Sequence, residues 1–164
     1  MPAPAVFAWT NVKRTTYFLH RRVDARGNDR FVFAREVGDG GLADVPEGYA
    51  VRESLNGTVS LARVVPRLIR EDEEQLVVAV LHRDIRHAVE LKKDAILVME
   101  RLRSEFRPVL RFTLVDREER TFEVCRMTYR GDGGWSYPLG RGRLGHLVRQ
   151  TVPHLGKQSF FDLY

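Results

Sequence analysis

The strongest local constraint on how this chain folds is one dipeptide, Asn56-Gly57, set between two runs of alternating apolar residues. Asparagine and glycine tolerate the positive φ that a two-residue hairpin turn needs, and the twist of such a turn matches the strands it joins. The expectation is strands over 49–55 and 58–65 joined by a type I′ turn, with Val59 and Leu61 on one face and Ser60 and Ala62 on the other. Asn56-Gly57-Thr58 also matches a glycosylation acceptor. The sequence begins without a basic leader segment, so the tripeptide is read as turn chemistry.

The same punctuation recurs along the chain. Strands are expected over 15–23 and 30–37, on either side of the Gly- and Asp-rich turn 24–29, and over 87–91 and 95–100, on either side of Lys92-Lys93-Asp94. Leu110, Phe112 and Leu114 share one face of a further strand, which turns through Asp116–Glu119. On the return strand Phe122 and Val124 share a face, but Cys125, Met127 and Tyr129 are apolar out of phase with them. A period of two cannot put both sets on one face, so a bulge or burial of both faces is expected near Val124-Cys125. The polar stretch 101–107, closed by Pro108, is expected to be irregular or a short turn of helix, and 136–139 to be a short extended piece.

Two segments switch to helical periodicity. Four acids, Glu71 to Glu74, precede the apolar run 76–81. Carboxylates offset the positive end of a helix dipole, so a helix is expected over 71–83. Leu144, Leu147, Val148 and Val152 recur at helical spacing over 141–152, where Pro153 stops the helix by removing a hydrogen bond. Pro2 and Pro4 mark 1–14 as a flexible N-terminal arm, with Phe7 and Trp9 tucking back. The fold class is therefore α+β, mainly antiparallel β-hairpins with a central helix and a helical C-terminus packed on the sheet. One compact domain is expected over 15–164, with sub-lobes 15–66 and 67–164.

A chain of 164 residues buries enough surface to fold without a disulfide or a metal. Its single cysteine, Cys125, excludes an internal disulfide and suits a reducing cytoplasm. No apolar run reaches the length of a membrane span, so no membrane partner is expected. Nucleotide loops, serine elbows and metal-binding helix pairs are missing; His146 and His154 are split by Pro153. No cofactor, metal or catalytic residue is expected. An enzyme would require the fold to bring Cys125, Asp132 and a histidine into one cleft.

The formal net charge is +5, and arginine supplies 23 of the 27 basic residues. Residues 125–164 hold six basic groups against two acids. The glycine-rich turn of Gly131, Gly133 and Gly134, with Trp135 beside it, lies close to Arg126, Arg130, Arg141, Arg143, Arg149 and Lys157. Small residues let backbone N–H groups approach an anion, and arginines interleaved with aromatics suit a single-stranded nucleic acid. The plainer reading is a wide turn on a solvated basic face. Three functions follow in order: a small non-enzymatic binding protein engaging another protein, a binder of DNA, RNA or another polyanion through that face, and an enzyme of unknown type.

The phrase Pro46-Glu47-Gly48-Tyr49 with Asn56-Gly57 and Val59, and the ending Pro153-His154-Leu155-Gly156-Lys157-Gln158-Ser159-Phe160-Phe161, resemble stretches of uncharacterised bacterial proteins. The resemblance implies a bacterial, cytoplasmic protein and carries over no ligand and no functional residue.

Overall fold

The structure, a computed structural model, describes residues 5–81, 85–130 and 133–164, with the backbone path alone at 128–130 and 133–135. The chain divides into two units, Met1–Val65 and Pro66–Tyr164. Both are built from antiparallel hairpins, and the helices belong to the second.

In the first unit β1 (Ala8–Thr10), β2 (Thr16–Val23) and β3 (Asp29–Ala34) form a sheet in that order, while β4 (Tyr49–Glu53) and β5 (Val59–Arg63) form a separate hairpin. Part of the segment expected to be a loose arm is thus a strand; residues 1–4 lie outside the described residues. Long-range bonds explain the difference. The Trp9 indole N–H donates to Glu53 Oε1 at 2.8 Å, and the backbone N–H of Val12 donates to the other oxygen at 2.8 Å. Buried Asn11 accepts from the N–H groups of Lys13 and Thr15 and donates to the Gly57 carbonyl at 2.8 Å. No local propensity shows bonds spanning more than forty residues.

The Asn56-Gly57 turn also departs from expectation. Gly57 has φ 82°, but Asn56 is not at positive φ. The Gly57 N–H donates to the Ser54 carbonyl and the Ser54 N–H to the Thr58 carbonyl, both at 2.9 Å. This is the longer loop that ends on one left-handed glycine, not a type I′ turn. At the neighbouring turn, Asp24 Oδ1 accepts from the N–H groups of Arg26 and Asn28, each at 2.9 Å. Leu19 and His20 are fully buried. The imidazole of His20 lies 2.9 Å from the Phe18 carbonyl, and its other nitrogen accepts from the Gly38 N–H at 3.1 Å.

In the second unit α1 (Glu71–Leu81) leads into a five-stranded meander: β6 (His87–Leu91), β7 (Ala95–Leu102), β8 (Glu105–Asp116), β9 (Thr121–Arg130) and β10 (Gly133–Arg143). Then come α2 (Leu144–Thr151) and two 3-10 turns, Val152–His154 and Gln158–Asp162. Positions 82 and 83 of the expected first helix lie outside the described residues. Both helices pack on one sheet face. Val77 and Leu81 of α1 and Leu147 and Val148 of α2 share a core with Val98, Phe112, Phe122 and Val124. Truncating a buried phenylalanine such as Phe112 to alanine costs roughly 3–5 kcal/mol. Among the described residues no helix is long and apolar enough to cross a membrane.

Three strand expectations are refined. The stretch 101–107 is the end of one hairpin, turning at Arg103 with φ 59°. Pro108 pairs with Met99 beside a register shift that inserts Val109; a proline is tolerated where the ladder is already interrupted. β9 keeps one alternation from Phe122 to Arg126, so Cys125 and Met127, both half-buried, lie on the face opposite Phe122 and Val124. The irregularity is on the partner strand, where Pro138 pairs with Cys125 and Gly140 with Val124, leaving Leu139 as the extra residue. β10 is longer than the short extended piece expected and runs to Arg143, so α2 starts at Leu144 and not near 141.

The acids before the first helix do more than offset its dipole. Glu73 sits at the third helical position and accepts from the Arg70 N–H at 2.8 Å, the reach-back half of a capping box. Arg120, in the β8–β9 turn at φ 52°, binds both oxygens of the same carboxylate and donates to the Leu68 carbonyl at 3.0 Å. The turn is thereby tied to the start of α1.

Candidate functional site

Strand alternation places Arg126 on the same face of β9 as Phe122 and Val124, the core face. A cation there needs partners, because burying an unpaired charge is costly. Arg126 finds them in the C-terminal segment: Nη1 donates to the Phe160 carbonyl at 2.9 Å and the Leu163 carbonyl at 3.2 Å. Its guanidinium carbon lies 5.3 Å from the ring centre of Tyr137, its partner on β10, and 6.0 Å from that of Phe160. Its Nε is buried without a hydrogen-bond partner. An unsatisfied buried donor carries a desolvation penalty.

The segment that Arg126 holds is a run of short turns. The Leu155 N–H donates to the Val152 carbonyl, that of Lys157 to the His154 carbonyl and that of Phe160 to the Lys157 carbonyl, each at 3.1 Å. Gly156 has φ 75°, which glycine adopts readily and other residues resist. His154 Nδ1 lies 2.8 Å from Ser159 Oγ and ties the two 3-10 turns together. Phe160 points into the core while Phe161 stacks edge-on against it at 5.6 Å and stays 57% exposed.

Between this segment and the ends of β7, β8 and β9 lies a cleft of about 700 Å³. Its apolar lining includes Leu102, which is 53% exposed, with Val109 and Phe161. Among the described residues its charged lining is Arg107, Arg126, Lys157 and one acid, Glu100. Among the described residues neither Arg107 nor Lys157 has an ion-pair partner. The net charge of these lining residues is positive. A pocket of this size, mostly apolar with a few polar groups, is a usual ligand site.

Of the basic residues singled out in the sequence, Arg126 and Lys157 meet at this cleft. Arg141 and Arg143 pair with Glu123 and Thr121, out of phase with Phe122 and Val124, and so belong to the opposite sheet face. Arg141 is also bound to Glu123 at 2.5 Å. Arg149 is exposed on α2. Gly133, Gly134 and Trp135 begin β10 and Arg130 ends β9, while Gly131 lies outside the described residues. Cys125 belongs to the sheet face opposite Val124, whereas His146 is on α2, which packs on the core face; Asp132 lies outside the described residues. Among the described residues no cluster of histidine, cysteine and acidic groups is placed to hold a metal. In the first unit, a hollow of about 440 Å³ is bounded by His20, Arg22, Glu36 and Asp39. Both ring nitrogens of that histidine are already committed.

Sequence reasoning missed Arg107, Leu102 and Val109. Leu102 and Arg107 sit in the stretch 101–107 expected to lack a strand and Val109 just past the Pro108 that closes it, and only their pairing in a hairpin brings them beside the C-terminus. The bulge signal of an apolar residue after Pro108 was the available clue. Compared with known protein families, curated proteins and solved structures, the chain matches none.

Proposed function

We propose that this chain is a non-enzymatic binding protein that engages another protein, and that it does so at the cleft beside residues 155–161. One observation carries the reading. Folding leaves Leu102 and Phe161 more than half exposed on the walls of a cleft of about 700 Å³, next to Arg107 and Lys157, which have no ion-pair partner among the described residues. Apolar groups left open in a concave site with polar groups around them mark interaction surfaces. The lone Cys125 suits a reducing compartment such as the cytoplasm. A track for DNA or RNA is the poorer reading: Arg126 is spent on backbone carbonyls, Arg141 on Glu123, and the two belong to opposite sheet faces.

The test is selection of peptides from an unbiased display library, with a Leu102→Asp/Phe161→Asp variant beside the native protein. Both side chains are more than half exposed, so the variant should still fold, with a melting temperature lowered only by the loss of the Phe160–Phe161 ring contact. Peptides that bind the native protein and not the variant support the reading. A library that yields no peptide, or peptides that bind both proteins equally, defeats it.

A further inference from the structure

We propose that the segment this cleft accepts is an acidic peptide, with an aspartate or glutamate next to a leucine or phenylalanine; this rests on the reading of the cleft as a protein-docking site. Among the described residues Arg107, Arg126 and Lys157 line the cleft against one acid, Glu100, so a negatively charged occupant is attracted. Arg126 cannot turn to meet a ligand, because Nη1 is held on the Phe160 and Leu163 carbonyls. The carboxylate of the occupant therefore falls to the other two cations. Arg107 and Lys157 are exposed and have long side chains, so they can close on the same carboxylate from the two sides of the cleft. Glu100 sets a limit at the other extreme. A run of phosphates brought into the cleft would meet it at close quarters, whereas a peptide brings N–H groups it can accept from. The apolar neighbour in the peptide has its own place, against Leu102 and Phe161.

The assay is fluorescence anisotropy on the full chain with two labelled peptide pools. One pool carries aspartate or glutamate beside leucine or phenylalanine, and the other carries asparagine or glutamine at the same position. Charge-assisted hydrogen bonds are worth enough that the acidic pool should bind at least about tenfold more tightly. Its affinity should fall as salt rises. An Arg107→Gln/Lys157→Gln variant changes two exposed side chains and should fold normally. In it the two pools should bind alike. Equal binding of both pools to the native protein, lost in Leu102→Asp/Phe161→Asp, would overturn the acidic preference and leave the docking reading standing. No binding of either pool would overturn the acidic preference, and the display selection then decides the docking reading separately. Displacement of the acidic pool by a single-stranded oligonucleotide at lower concentration than unlabelled acidic peptide would overturn the inference in favour of a polyanion.

Discussion

Replacing Arg120 with alanine should cost this protein about 3 kcal/mol. Arg120 reaches Glu73 through Nε at 3.1 Å and through Nη2, and donates to the carbonyls of Leu68 at 3.0 Å and Arg117 at 3.4 Å. Glu73 is only 8% exposed. Without Arg120 its carboxylate keeps the Arg70 N–H and loses its counter-charge. Removing one partner of a buried pair costs about 3–5 kcal/mol. The lower end applies here, because 18% of the Arg120 side chain remains open to water. In a unit of this size a loss of that order lowers the melting temperature by roughly 10–20 °C. The decisive assay is a double-mutant cycle of Arg120→Ala and Glu73→Ala in urea, followed by circular dichroism. The coupling between the two should exceed about 1 kcal/mol. Arg120→Gly provides a control, since it loses the same contacts but relieves a left-handed backbone, and it should be less damaging than alanine by about 0.4–1 kcal/mol. A coupling energy near zero would refute the reasoning and mean that water already solvates the pair.

Asn11→Ala should destabilise the first unit by about 1–3 kcal/mol, because three hydrogen bonds of a buried amide are lost together; urea unfolding monitored by Trp9 fluorescence would show it, and an unchanged midpoint would contradict it. Asp24 is held below the usual carboxylate range, chiefly by the Asn28 N–H. Its folded-state value is depressed, so its contribution to the turn 24–29 is present above the ordinary carboxylate range and lost as pH falls through the lowered value. An NMR titration of its carboxyl carbon should give a midpoint below that of the same turn in a short peptide. Gly156→Ala should cost about 1 kcal/mol from the positive φ and weaken peptide binding by shifting the lip. Unchanged stability and unchanged affinity would argue against a strained lip.

The α+β class and the hairpin order were legible because they rest on local chemistry. Alternation marks strands such as His87–Leu91, and an acid run marks the start of α1 although the valines after it would also suit a strand. The two apolar sets of β9 were legible as a choice between two covered faces and a bulge: they lie on the two faces of an unbroken strand, and the bulge is across from them on β10. Partners far along the chain were not legible. Nothing near Glu73 announces Arg120, and nothing near Trp9 announces Glu53. The candidate site shows the same limit. Clustering in sequence grouped Arg126 with Arg141, but a two-residue period sends those positions to opposite faces. Arg107, distant in sequence, meets Arg126 through the β8–β9 hairpin.

The bulge at Leu139 has a consequence for association between copies of the chain. β10 ends the sheet on one side, and an open sheet edge is a template on which identical chains can stack. On this edge an incoming strand would meet Pro138, which offers no N–H, and one residue later would find that the side chains had changed face. Two rows of hydrogen bonds cannot form in one continuous register across that point. The edge that the cleft's own strands lead to is therefore poorly suited to self-templating, so the cleft could remain open at working concentration without the sheet growing past it.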